Sequence, residues 1–178
     1  AKLSIFNMKG KILVTGGTGY IGSHTVVELQ NAGYEVVIID NLSNSSADVV
    51  DNIEKVSGIR PAFEELDCLD YAGLDAVFTK YKGIKAIIHF AASKAVGESV
   101  QKPLLYYRNN LVSLINLLEL MPKHGVEGIV FSSSCTVYGQ PDELPVTEKA
   151  PIKKAESPYG NTKQINEEIV RDTVASGA

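Results

Sequence analysis

The chain has 178 residues, 44% of them apolar, and a formal net charge of -4, which suits one well-cored domain rather than two. Its lysines and arginines are scattered rather than clustered, which argues against nucleic acid or an anionic membrane as partner. The longest apolar runs, Ile87 to Ala92 and Gly128 to Phe131, are far shorter than a membrane span and no cleavable signal opens the chain, so a cytoplasmic location is expected. Cys68 and Cys135 lack disulfide or zinc spacing; both are expected to be small buried residues, and no metal site is expected. Ala1 to Asn7 precede Met8, a natural start, and are read as fusion leftovers, which leaves residues 8–178 as the domain.

Lys11 to Thr15 is a short apolar run ending in glycines, the pattern of a buried parallel strand. A helix is predicted from Tyr20 to Ala32, with Ile21, Thr25, Leu29 and Ala32 facing inward and Gly33 as its stop. Tyr34 to Ile39 reads as a second strand closed by Asp40. A turn-rich segment through Ser46 leads to a helix ending near Val56. Ala62 to Leu66 is the third strand, Tyr71 to Tyr81 a helix, and Ala86 to Phe90 the fourth strand. Leucines spaced along Pro103 to His124 predict a long helix, followed by a fifth strand at Gly128 to Ser132. A loop punctuated by Gly139, Pro141, Pro145 and Pro151 precedes a last helix from about Pro158 to Ala175. Strands alternating with helices imply an α/β fold with a doubly wound parallel sheet of the Rossmann type. A sixth strand is expected after Ala178; without it, Ile129 to Phe131 would be an unpaired edge.

Gly17-x-Gly19-x-x-Gly22 lies between a predicted strand and helix, where glycines permit a tight turn, backbone approach to a pyrophosphate and close helix packing. The phosphates would then face the amides of a helix N-terminus. Asp40, at the end of strand two, can accept from adenine-ribose hydroxyls and would repel a 2'-phosphate, which favours NAD over NADP. Asp67 ends strand three, where it either accepts from an adenine amino group or simply terminates the strand. Phe90 to Ser93 are small after the aromatic and leave room for a dinucleotide beside the backbone. Lys94 either pairs with phosphates or hydroxyls or is a solvated loop lysine. Of Asn109 and Asn110, one is expected to face a cofactor and the other solvent, since mid-helix amides have poor propensity. His89 is read as a core residue and His124 as a cationic helix end. Tyr159 and Lys163, four apart on the last helix, share one face. A lysine cation there favours phenolate and makes the tyrosine a usable base for a sugar or alcohol hydroxyl.

The blocks Thr15 to Thr25, Asp40-Asn41-Leu42, His89 to Val100, Ser132 to Gly139 and Ser157 to Lys163 closely resemble the UDP-glucose 4-epimerases. These belong to the extended short-chain dehydrogenase/reductase superfamily, and the likeness runs from Lys11 to the end of the chain. The glycine turn and Tyr-x-x-x-Lys mark the superfamily, and Lys94 to Val100 narrows it to the epimerases. The resemblance implies an NAD reduced and reoxidised in each turnover, with UDP-galactose and UDP-glucose as substrates. Tyr159 would take the proton from the sugar 4'-hydroxyl, Lys163 would hold the nicotinamide ribose, and Ser134 would hydrogen-bond O4. Lys94, Ser134 and Tyr159 would touch the substrate. By the same likeness Gly16, Gly19, Tyr20, Ile21, Gly22, Asp40, Asn41, Leu42, Ser43, Asn44, Ser45, Asp67, Cys68, Phe90, Ala91, Ala92, Ser93, Lys94, Asn109, Tyr159 and Lys163 would line the cofactor.

Ala92-Ser93 stands where many members have glycine and leucine, a change in the pocket wall. Family members continue for about as long again, so this chain resembles their N-terminal, cofactor-binding part, and most of the UDP-sugar pocket is expected in the missing half, as continuation or separate chain. A homodimer through the Pro103 to His124 helix is implied for the intact protein. A nucleotide-sugar 4,6-dehydratase is disfavoured, because Ser134-Cys135-Thr136 carries no carboxylate. An epimerase of UDP-N-acetylhexosamines or UDP-uronates stays open, as does a cofactor-binding fragment without catalysis of its own.

Overall fold

The computed structural model describes residues 9–177; the assignment of Ala1 to Asn7 as fusion leftovers falls outside them. The strands are β1 (Lys11–Thr15), β2 (Glu35–Asp40), β3 (Ala62–Glu65), β4 (Ile84–His89) and β5 (Gly128–Phe131). The helices are α1 (Tyr20–Asn31), α2 (Asp48–Ser57), α3 (Tyr71–Lys80), α4 (Val96–Gln101), α5 (Pro103–His124) and α6 (Pro158–Ala175), with a 3-10 turn at Cys135–Tyr138. The sheet order is β3-β2-β1-β4-β5, and β1 pairs in parallel with both β2 and β4. The order reverses at β1, where open α/β sheets receive ligands beyond their strand ends.

The residues fall into two compact units. The first, residues 9–91 and 116–130 of those described, holds the sheet and its core. Strand alternation splits that core between two faces. Leu13, Val37, Ile39 and Ile87 join one cluster with Leu74, Phe78 and Leu117, while Ile12, Val14, Val36 and Ile38 join the other with Val26 and Ile53. Parallel strands covered on both faces read as continuous apolar runs, which is why β1, β2 and β4 were recognisable.

The inward line of α1 is Gly22, Val26 and Gln30, not the Ile21, Thr25, Leu29 and Ala32 expected from periodicity. Gly22 fixes the rotation: a Cβ there would lie 2.1 Å from the Gly16 carbonyl oxygen, so this side of the helix sits against the turn. Ile21 is consequently exposed and Leu29 only partly buried. Gln30 is accommodated because its amide donates to the Ile59 carbonyl at 3.1 Å.

The second unit comprises residues 92–115 and 131–177 of those described, with α4, the first part of α5, the 3-10 turn and α6. Ser157 caps α6, accepting from the Gly160 amide at 3.1 Å, and Pro158 occupies the first turn, where its missing N–H costs nothing. The helix α4 was not predicted; six residues are too few to establish a periodicity. Cys68 is buried as expected, but Cys135 is exposed, because it opens the 3-10 turn beyond the sheet.

Candidate active site

In the first unit the chain leaves β1 through Gly16, whose φ of +70° suits glycine, and a Cβ there would lie 2.8 Å from the Ala91 amide nitrogen. The Ala91 amide donates to Thr15 Oγ1 at 3.3 Å, and Thr15 Oγ1 lies 2.6 Å from His89 Nδ1. The ends of β1 and β4 are thus tied together through the Thr15 hydroxyl, and Gly16 lies too close to Ala91 to carry a side chain. The N-terminus of α1 has no capping side chain and no acidic residue in its first turn. Its first amides and the positive end of its dipole are therefore suited to an anion. Tyr20 and Ile21 project there, 79% and 62% exposed, with the His24 ring edge-on to Tyr20 at 5.0 Å.

Asp40 is the centre of a built network. Its Oδ2 accepts from the Thr18 amide at 3.2 Å, and its Oδ1 from the Leu42 amide at 3.0 Å and from Ser45 Oγ at 3.3 Å. Leu42 holds a φ of 56°, rare for a residue with a Cβ, and the Asp40 contact with its amide supports it. Asn41 donates to Asp67 Oδ2 at 3.0 Å and accepts from the Ser43 amide, while Asp67 Oδ1 accepts from the Leu69 amide. Asp67 lies two residues past the end of β3 rather than at it. Cys68 places its side chain in the core, and burial, with the negative charges of Asp67 and Asp40, pushes its thiol up to about 12. Asn44 is exposed. Phe90 and Ala91 pack against the core clusters.

In the second unit Lys163 is 4% exposed. Its ammonium donates to the Ser132 carbonyl at 2.7 Å and lies 4.8 Å from the Phe131 ring centroid and 5.9 Å from that of Tyr159. Burial pushes its pKa down to about 8. An ammonium has three donors, so two remain for an incoming ligand after Ser132 is served. Ser134 Oγ accepts from the Thr136 amide at 3.3 Å and from Thr136 Oγ1 at 3.0 Å, which leaves its own proton to donate. Ser133 Oγ meets Glu167 Oε1 at 2.5 Å.

Neither asparagine of the pair faces solvent as one was expected to. Asn110 is 1% exposed: its Oδ1 accepts from the Ser93 amide at 2.8 Å, and its Nδ2 donates to the Ser93 carbonyl at 3.0 Å and Thr162 Oγ1 at 3.1 Å. Asn109, half-buried, donates to Ser93 Oγ at 3.0 Å. The reason is the loop after β4: Ser93 needs both backbone groups satisfied, and an asparagine in α5 supplies both. Ala92 is half-buried and Lys94 exposed. Sequence reasoning missed Thr18, Asn110 and Glu167 as organisers of these residues. Of the three, Asn110 left a signal, a mid-helix amide, whereas Thr18 resembles an ordinary turn former and Glu167 an ordinary helix carboxylate.

A family model described as the NAD dependent epimerase/dehydratase family matches residues 12–178. The chain belongs to this family. It is 55% identical over 161 residues to a UDP-glucose 4-epimerase of Bacillus subtilis, an alignment covering 90% of this chain and 47% of that protein. It superposes with a TM-score of 0.90 and 46% identity on a UDP-glucose 4-epimerase from Bifidobacterium longum solved with NAD+ and UDP, covering 93% of this chain and 49% of the other. The UDP-Glc/GlcNAc 4-epimerase of Campylobacter jejuni gives a TM-score of 0.86 and 40% identity over 94% and 50%. The chain spans about half the length of the curated relatives it matches. The turn after β1, Asp40 at the end of β2 and the α6 helix with Tyr159 and Lys163 all lie within the matched residues 12–178. Among the described residues no helix is long and apolar enough to cross a membrane, and no cluster of metal-ligating side chains occurs.

Proposed function

We propose that the protein interconverts UDP-galactose and UDP-glucose, with NAD as cofactor, and that residues 8–178 are its cofactor-binding part and carry its acid-base residues. The observation that carries this reading is the pairing on α6 of Tyr159 with the buried Lys163, whose ammonium retains donors after its bond to Ser132. Relatives that the chain matches over about half of their length are named UDP-glucose 4-epimerases, and one was solved with NAD+ and UDP.

The residues fit the cofactor. A Cβ on Gly16 or Gly22 would collide with the chain's own backbone, so these glycines keep the turn tight, and the uncapped start of α1 beside it favours phosphate. Tyr20, Ile21 and the Asp40 to Ser45 loop would line the adenosine and pyrophosphate, and Asp67 and Asn41 would bound the adenine. Bound NAD would supply the redox chemistry at the sugar C4.

The chain's own residues do the rest. Tyr159 takes the proton from the sugar O4 and returns it. Ser134, its oxygen already accepting from Thr136, donates its proton to O4 and orients it toward the phenol. Lys163 holds the nicotinamide ribose and keeps a positive charge beside Tyr159. Asn110 and Asn109 fix the Ala92 to Lys94 loop, which would form the wall against the nicotinamide and, through Lys94, reach the substrate. Exposed Leu104, Leu105 and Val112 on α5 support a homodimer through that helix.

The deciding experiment is an assay of UDP-galactose conversion to UDP-glucose by protein spanning the relatives' full length, with UDP-N-acetylgalactosamine alongside. Conversion of the first supports the proposal. Conversion of only the second would move the substrate to the N-acetylhexosamines, and conversion of both would match the breadth in the name of the Campylobacter jejuni UDP-Glc/GlcNAc 4-epimerase. No conversion of either would leave a dinucleotide-binding module.

A further inference from the structure

Thr18 Oγ1 lies 2.7 Å from Ser45 Oγ, and Ser45 Oγ donates to Asp40 Oδ1 at 3.3 Å. A hydroxyl has one proton. Since the Ser45 proton goes to Asp40, the proton between the two hydroxyls is that of Thr18. The two hydroxyls thus form a directed chain, from Thr18 to Ser45 to Asp40, closed by the Thr18 amide donating to Asp40 Oδ2. Thr18 is 3% exposed, so this geometry is enforced by packing.

We propose that Thr18 and Ser45 are specificity-determining residues whose hydroxyl protons are withheld from a ribose 2'-phosphate because the chain that ends on Asp40 holds them. This rests on the reading of the Asp40 loop as the adenosine site. A carboxylate offers about four acceptor positions. Here Oδ1 serves Leu42 and Ser45 and Oδ2 serves Thr18, which leaves the second position of Oδ2 for a donor. A ribose hydroxyl is such a donor. A 2'-phosphate is an acceptor carrying about two negative charges at neutral pH. It would meet a carboxylate oxygen, and beside it two hydroxyls whose protons are already committed, that of Ser45 to Asp40 and that of Thr18 to Ser45. Preference for the unphosphorylated dinucleotide therefore has two sources, the charge of Asp40 and its capture of donors that a phosphate needs.

The second source separates this idea from charge repulsion alone. In Asp40→Gly the repulsion is gone and the hydroxyls of Ser45 and Thr18 are free to turn toward the phosphate. Dissociation constants for NADP and NAD would be measured by titration calorimetry on the intact protein freed of bound cofactor. We expect Asp40→Gly to bind NADP roughly tenfold or more tightly than wild type, the scale of hydrogen bonds to a charged group. Adding Ser45→Ala to that variant should remove most of the gain, and adding Thr18→Val a smaller part. A full gain that persists in Asp40→Gly/Ser45→Ala overturns the proposal. Should Asp40→Gly fail to fold, Asp40→Asn decides it, since it removes the charge while its amide oxygen can still accept from Ser45. There NADP affinity should rise less than roughly tenfold over wild type, and a tenfold or larger rise, which loss of charge alone would then explain, overturns the proposal. Wild-type protein that binds NADP as well as NAD would overturn both this inference and the adenosine-site reading. NAD binding without epimerisation would overturn only the proposed reaction.

Discussion

The Lys163 ammonium donates to the Ser132 carbonyl at 2.7 Å, so the α6 lysine is held by the backbone just beyond β5. That one hydrogen bond satisfies a buried cation only in part. The remaining cost is a desolvation cost, and it makes the lysine titrate far below its ordinary value.

This has a pH signature in stability. Lys163 loses its proton at about 8 in the folded protein, against an ordinary 10.5 in the unfolded chain. Between those values the unfolded state binds more protons, so the lysine makes folding more favourable as pH rises. Below about pH 8 both states are charged and the burial cost, roughly 3 kcal/mol, is fully present. Lys163→Met abolishes the dependence. Denaturant unfolding of both proteins from pH 7 to 10.5 should show their stability difference changing by about that amount. A constant difference would contradict the burial argument.

Tyr159 has the Lys163 ammonium 5.9 Å from its ring centroid, and Tyr159→Phe removes the hydroxyl while keeping the ring that packs there. In the full-length protein we expect turnover to fall by roughly 10²–10⁴, the usual share of a general base, with bound NAD retained. Both quantities are read from one preparation, by coupled assay and by cofactor release. Wild-type turnover in the variant would remove Tyr159 as the base.

Asn110→Ala should be among the costliest polar truncations in this half of the fold. It strips partners from the Ser93 amide, the Ser93 carbonyl and Thr162 together. Each buried group left unpaired costs about 1–3 kcal/mol, so a loss of roughly 3 kcal/mol is expected. Asn110→Asp is the sharper control: it retains an acceptor for the Ser93 amide but turns a carboxylate oxygen toward the Ser93 carbonyl. Thermal unfolding should rank wild type above both variants. If Asn110→Ala melts with wild type, the clamp on the loop after β4 is not needed for stability.

What could be read from the sequence follows from how each feature is encoded. The Pro103–His124 helix emerged at its observed bounds because proline, spaced leucines and a terminal Lys-His-Gly mark its start, face and end. The sheet was readable because buried parallel strands are apolar runs. The rotation of α1 was not, because it is set by contact between Gly22 and the Gly16 carbonyl, a steric fact with no apolar residue to announce it. Asp40 was singled out by position alone, but its partners Thr18 and Ser45 are small hydroxyl residues that look like ordinary turn formers. Asn110 misled for the related reason that a mid-helix amide signals some buried partner without naming it.

Two glycines at opposite ends of α1, Gly22 and Gly33, make distinct predictions from otherwise similar substitutions. A Cβ on Gly22 would lie 2.1 Å from the Gly16 oxygen and 3.0 Å from Gly17 Cα, both backbone atoms that cannot swing away. Gly22→Ala must therefore push α1 off the turn, a strain of about 1–3 kcal/mol or more. Gly33, with φ +90°, meets nothing within 4 Å, so Gly33→Ala pays only for its backbone conformation, about 1–2 kcal/mol. The two separate in binding. Displacing α1 moves the amides that would receive the pyrophosphate, so Gly22→Ala should weaken NAD at least tenfold, whereas Gly33→Ala should leave its affinity within about twofold of wild type. Calorimetric titration of NAD into both variants checks this, and equal affinities would sever the turn from the cofactor.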